Sequence, residues 1–138
     1  MKNKFLILSL LVSSFFTACS SDDDGGDNID PIIGTWQKTA EIEDGVEIEL
    51  DECELQSTFT FTSNGELSSI SYYEYEDECL FDTSSSNWDN QGNNVYGIGE
   101  EAIEDSIEFT FSNNNNTISY EYEFEGVVTE YIYTRVEE

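Results

Sequence analysis

Strict two-residue alternation dominates this chain. Phe59 and Phe61 alternate with Thr58, Thr60 and Thr62; Ile107, Phe109 and Phe111 with Glu108, Thr110 and Ser112; Ile118, Tyr120, Tyr122 and Phe124 with Ser119, Glu121 and Glu123. A backbone that places successive side chains on opposite faces turns such runs into strands with one dry face and one wet face. Between them lie Asp44-Gly45, Asn64-Gly65, Gln91-Gly92-Asn93, the asparagine run 113–116 and Glu125-Gly126. These residues reach positive φ cheaply and suit tight hairpin turns. No segment holds a helical period, and the single proline, Pro31, precedes the first strand.

The pattern predicts strands over 35–43, 55–62, 66–76, 85–90, 94–98, 106–112, 117–125 and 127–136, with a short extra piece over 47–50. About eight consecutive antiparallel strands joined by short turns favour a single up-and-down β-barrel, because closure removes both exposed edges. A two-sheet β-sandwich is the alternative, but it wants a long crossing connection. One core suffices at this length. The register of the first and last strands stays open: Trp36, Lys38, Ala40 and Ile42 share a face, and Val127, Tyr131 and Tyr133 compete with Val128 and Ile132 for the inside.

The N-terminal segment does not belong to that domain. Lys2 and Lys4 lead into an apolar run over 5–16, and Thr17-Ala18 set small residues before Cys19. The run is shorter than the roughly 20 residues that a bilayer core demands. The stretch resembles a bacterial lipoprotein signal, which implies removal of 1–18, a lipid anchor on Cys19 and membrane attachment. Residues 19–32 are acidic and nearly devoid of side chains worth burying, so they read as a flexible tether. Ser-Asp-Asp-Asp directly after the cysteine resembles the export signal of Bacteroidetes surface lipoproteins, which implies the outer membrane and the cell surface. The domain itself then occupies 33–138.

Loss of the signal leaves two bases, Lys38 and Arg135, against 31 acids, a formal charge of −29. Such a chain cannot neutralise phosphates, which excludes nucleic acid as a partner. Acids on solvent-facing strand positions keep a β-protein soluble, and they also suit a basic protein partner. There is no histidine, so the commonest general base and zinc ligand are missing. No glycine pattern leads into a lysine to hold a nucleotide cofactor. No catalytic residue, metal ligand or cofactor is assigned, and the chain reads as a non-enzyme.

Ile33-Gly34-Thr35-Trp36 resembles the Gly-x-Trp signature that opens lipocalin-like barrels, and Arg135 stands where that family often sets an arginine across the tryptophan. Cys53, the Phe59/Phe61 strand, Asn64-Gly65, Cys79 and Trp88 follow in the order seen in small lipocalin-like domains of Bacteroidetes lipoproteins. The resemblance implies that Trp36 and Arg135 close the bottom of the barrel and that the interior carries a small hydrophobic ligand. Phe59, Phe61, Phe109, Phe111, Tyr120 and Tyr122 are the candidate lining. The competing expectation is a barrel filled by its own side chains, with function in its acidic loops.

With Cys19 given to the anchor, Cys53 and Cys79 remain in an exported chain, and a disulfide is their expected state. Pairing about Asn64-Gly65 sets position 53 near 77, so reaching Cys79 needs a bulge or a slack strand end. The bond would gather Glu47, Glu49, Asp51, Glu52 and Glu54 with Glu74, Glu76, Asp77 and Glu78. Calcium is the hard cation such oxygens suit, but no stretch has the spacing of an EF-hand loop.

Overall fold

The computed structural model describes residues 29–99 and 105–137. The signal segment and Cys19 lie outside them. The described residues form ten strands: β1 Gly34–Glu43, β2 Val46–Ile48, β3 Thr58–Phe61, β4 Glu66–Tyr75, β5 Glu78–Gly92, β6 Val95–Gly99, β7 Asp105–Glu108, β8 Thr110–Ser112, β9 Thr117–Phe124 and β10 Val127–Arg135. One 3-10 turn, Glu54–Gln56, precedes β3. All pairings are antiparallel, and the ladder runs β7-β6-β5-β4-β3-β1-β10-β9-β8, with β2 also on β1. The first strand therefore pairs with the last. The two ends of the ladder, β7 and β8, are separated in sequence by Phe109 alone, so the sheet curls into a barrel-like ring rather than a sandwich.

Three differences from the alternation pattern have local causes. The predicted strand over 106–112 is cut at Phe109, whose backbone N–H is given to Asn94 (2.9 Å) while its ring enters the core at 2% exposure. The strand predicted from 85 begins at Glu78 and pairs with β4 along Glu66–Tyr75. Its turn is Glu76-Asp77, both at positive φ without a glycine, and Ser-rich β5 offers little alternation to announce it. Cys79 accordingly opens β5, across from Glu74, rather than trailing the first hairpin. Finally, a bulge between Lys38 and Ala40 shifts β1 against β10, so that Glu41 instead of Ala40 faces Tyr131.

The hydrophobic core lies at one end of the ring. Ile32, Trp36, Phe61, Tyr96, Phe109, Ile118 and Tyr133 are buried, and their rings meet mostly edge-on: Phe61 lies 5.5 Å from Trp88 and 6.1 Å from Phe109, and Phe109 lies 5.8 Å from Tyr96. Each such pair adds about 0.5–1.5 kcal/mol to the area it removes from water. This floor begins ahead of the boundary that charge suggests. Ile32 is fully buried, and Asp30 accepts hydrogen bonds from the Ile32 amide (3.0 Å) and the Tyr96 hydroxyl (2.8 Å), which ties the end of the predicted tether to the barrel.

Arg135 seals the floor. Its guanidinium carbon lies 4.2 Å from the Trp36 ring centroid, and its nitrogens donate to the carbonyls of Ile33 (2.7 Å), Pro31 (2.5 Å) and Asn115 (3.2 and 3.3 Å). The Trp36 indole donates to Ile32 (2.7 Å). Gly34 makes room: at φ +136°, a Cβ there would come within 2.5 Å of an Arg135 nitrogen. That contact explains the glycine of the Gly-x-Trp pattern.

At the far end of β4 and β5, the Cys53–Cys79 disulfide ties the 3-10 turn to β5 across a separation of 26 residues. On a chain-entropy estimate, a closed loop of this length contributes about 3.5 kcal/mol.

Two outcomes are expected. Arg135→Lys keeps the charge but loses the fork and its stacking, so it should cost about 2 kcal/mol and lower Tm by roughly 10 °C; Gly34→Ala should do at least as much damage, read by thermal unfolding. Burial lifts the Tyr133 phenol far above its ordinary value, as burial and the Asp30 contact do for Tyr96. A phenol whose pKa rises on folding stabilises the fold fully below its unfolded pKa, about 10, and that contribution is lost as pH climbs through the folded value. Tm should therefore drop above about pH 10, less steeply in Tyr133→Phe. A wild-type curve flat through that range would contradict the buried phenols.

Candidate functional site

The partner change at Phe109 builds the site. Before it, β7 pairs with β6 (Val95 with Glu108); after it, β8 pairs with β9 (Thr110 with Ser119). Among the described strands, the outer edge of β7 and the β9 edge beyond Ser119 are thus left without a ladder partner. Between them opens a cavity of about 810 Å3. One bank is Ser106, Ile107, Glu108 and Thr110; the other is Ser119, Tyr120, Glu121 and Tyr122, with Glu130 of β10 behind. Neighbouring residues of a strand face opposite ways, so lining by four in succession means that the cavity wraps the free edge of β9. It is a slot through the wall.

Its inner side is aromatic. Tyr120 stacks on Tyr131 (5.2 Å) and Tyr133 (6.2 Å) and meets Phe109 edge-on at 5.5 Å. Burial raises the pKa of both Tyr120 and Tyr131, and the nearby Glu41 charge adds to each rise, so these hydroxyls stay protonated donors. Lys38 is folded inside as well. Its ammonium lies 2.7 Å from Glu41 and 5.4 Å from the Tyr131 ring centroid. The β1 bulge brings this pair together, because without it Ala40 would occupy the position opposite Tyr131.

Of the six aromatic residues read as ligand lining, Tyr120 and Tyr122 border the slot. Phe61 and Phe109, 1% and 2% exposed, fill the floor instead. Phe59 packs on Tyr133 at 4.2 Å, and Phe111 lies 6.4 Å from Tyr96. Alternation finds the inward face but not which inward residues are covered on all sides and which border an unpaired strand edge, and that separates floor from slot. Glu108, Glu121, Glu130 and Ile107, which complete the slot, passed in the sequence as ordinary strand residues. Their only sequence signal was that Glu108 precedes Phe109 and Glu121 follows Tyr120; Glu130 carried none.

The disulfide does bring acidic residues together: Glu49, Asp51, Glu52, Glu74 and Asp77 border a shallower depression of about 560 Å3 beside Cys53 and Cys79. The Asp51 carboxylate is occupied locally, accepting from the amides of Cys53 (2.8 Å) and Glu54 (2.7 Å). Among the described residues, no group of three or more acidic, cysteine or histidine side chains is disposed to hold a metal ion.

Solved structures and one family model are similar to this chain. A solved complex of bovine odorant binding protein with undecanal is similar at 10% identity and a TM-score of 0.44, with 85% of this chain and 79% of that one covered. An odorant binding protein OBP1 is similar at 15% identity and 0.43, with 78% and 73% covered. No curated protein matches the chain. The model of the lipocalin-like domain matches residues 32–135, from the buried Ile32 to the arginine that seals the floor. The chain belongs to the lipocalin-like domain family.

Proposed function

We propose that the chain is an exported, lipid-anchored binding protein that takes a small, largely apolar molecule into its barrel through the slot between β7 and β9. The observation that carries this reading is the uneven filling of the ring. The interior is packed solid around Trp36 and Phe109, whereas beside it, at the unpaired edges of β7 and β9, a cavity bordered by Ile107, Tyr120 and Tyr122 remains. Its volume is that of a site for a drug-sized ligand. Tyr120 and Tyr122 offer apolar faces with a hydroxyl for orientation.

The chain enters the barrel at the packed end, through Asp30 and Ile32. The ten peptide steps from Cys19 to Ile29 span at most about 35 Å, so an anchor on Cys19 would hold the packed end near an outer-membrane surface. A second reading, docking of a basic partner protein, is favoured by Val46, Tyr75, Phe81 and Phe124, which are 58–65% exposed among the acidic hairpin tips.

Titration with the uncharged fluorophore N-phenyl-1-naphthylamine should give saturable enhancement at one site. Tyr122 is 55% exposed, so Tyr122→Ala should spare Tm yet weaken binding roughly fivefold, the loss of about one aromatic contact. No enhancement, or equal affinity in the variant, would remove the slot from consideration. In the source cells, Cys19→Ser should abolish fatty-acyl labelling and release the protein from the membrane fraction, and protease added to intact cells should degrade the wild type. Labelling that persists in Cys19→Ser would refute the anchor.

A further inference from the structure

Accepting that the slot takes a ligand, we propose that this ligand is a cationic amphiphile, an apolar body bearing a protonated amine, with the amine held by Glu121 and Glu130 at the slot's lip. Among the described residues, the slot border contains three carboxylates, Glu108, Glu121 and Glu130, and no basic residue. Both bases of the domain are engaged elsewhere. Lys38 is paired with Glu41 at 2.7 Å, with 12% of its side chain exposed, and Arg135 is held at the packed end by three backbone carbonyls and the Trp36 ring. A carboxylate or phosphate entering the slot would meet like charge and find no counterion.

A second observation is independent of the cavity. Glu121 and Glu130 are direct partners across the β9–β10 ladder, an arrangement of like charges that destabilises a strand pair. An ammonium between them would relieve it. The inward side of the same strand edge supplies the rest: Ile107 and the faces of Tyr120 and Tyr122 would cover an apolar body, and tyrosine faces attract a cation within about 6 Å. A formal charge of −29 from Cys19 onward, two bases against 31 acids, further concentrates cations near the surface and repels anions.

Calorimetric titration of the full chain with decylamine, decanol and decanoate, all below micelle formation, separates the charge from the apolar body. Decylammonium should bind roughly tenfold tighter than decanol, and decanoate should bind weakest. The double variant Glu121→Gln/Glu130→Gln should erase most of that tenfold advantage while leaving decanol within about twofold. Glu47→Gln/Glu49→Gln removes the same charge from the β2 region and should leave both affinities in place. If decanol binds but the amine gains nothing over it, or if the Glu47/Glu49 variant loses as much as the Glu121/Glu130 variant, the cationic assignment is wrong and slot binding stands. If neither decanol nor decylammonium binds, both readings fall.

Discussion

The arginine at the end of the last strand holds the architecture together. Arg135 takes carbonyls from the segment entering the barrel and from the turn between β8 and β9, while lying over the indole of the first strand. A guanidinium has five donors in a planar fork, so one side chain can satisfy backbone groups from separate segments. With β1 and β10 joined there, the remaining strands extend the ladder from both sides and bring its ends together at Phe109, where the chain changes partner. Among the described strands, that change leaves the edges of β7 and β9 unpaired. The sealed floor and the slot are thus two consequences of one closure.

Charge follows the same division. Acids crowd the outward positions and hairpin tips, where water screens them, while both bases of the domain are drawn inward against aromatic rings. Placing Lys38 and Glu41 together inside requires the β1 bulge, since a regular strand would set an alanine where the carboxylate is needed. A half-buried pair of this kind is costly to desolvate. Its position beside Tyr131 and the stacked Tyr120 fits a polar element in the upper interior better than a source of stability.

Much of the fold is legible in the residues. Alternation in 58–61 and 117–124 marks strands that form nearly where expected, the last strand forms over 127–135 although its register was open, and Asp44-Gly45 and Glu125-Gly126 turn where the glycine allows positive φ. What stayed hidden lacked a local signal. The Glu76-Asp77 turn has no glycine, and the serine-rich first half of β5 gains its strand character from pairing with β4. The break at Phe109 is invisible because Ile107, Phe109 and Phe111 keep perfect alternation; the change of partner is decided by which neighbour each half can reach. Tyr120 and Tyr122 could be named as inward residues for the same periodic reason that Phe61 and Phe109 were, yet only the first two border the slot.

By itself, then, the amino-acid sequence determined an all-β chain, the inward and outward faces of its strands other than the first and last, and the absence of imidazole chemistry, because each follows from residue type and near-neighbour spacing; the Gly34–Trp36–Arg135 closure was legible only through the resemblance to lipocalin-like barrels. Only the tertiary structure decided which inward side chains are covered on all sides, where the ladder changes partner and that Glu121 faces Glu130. Those are properties of register between strands, which turn geometry and the shared burial of one face set across several strands at once, so that no single strand's sequence specifies them.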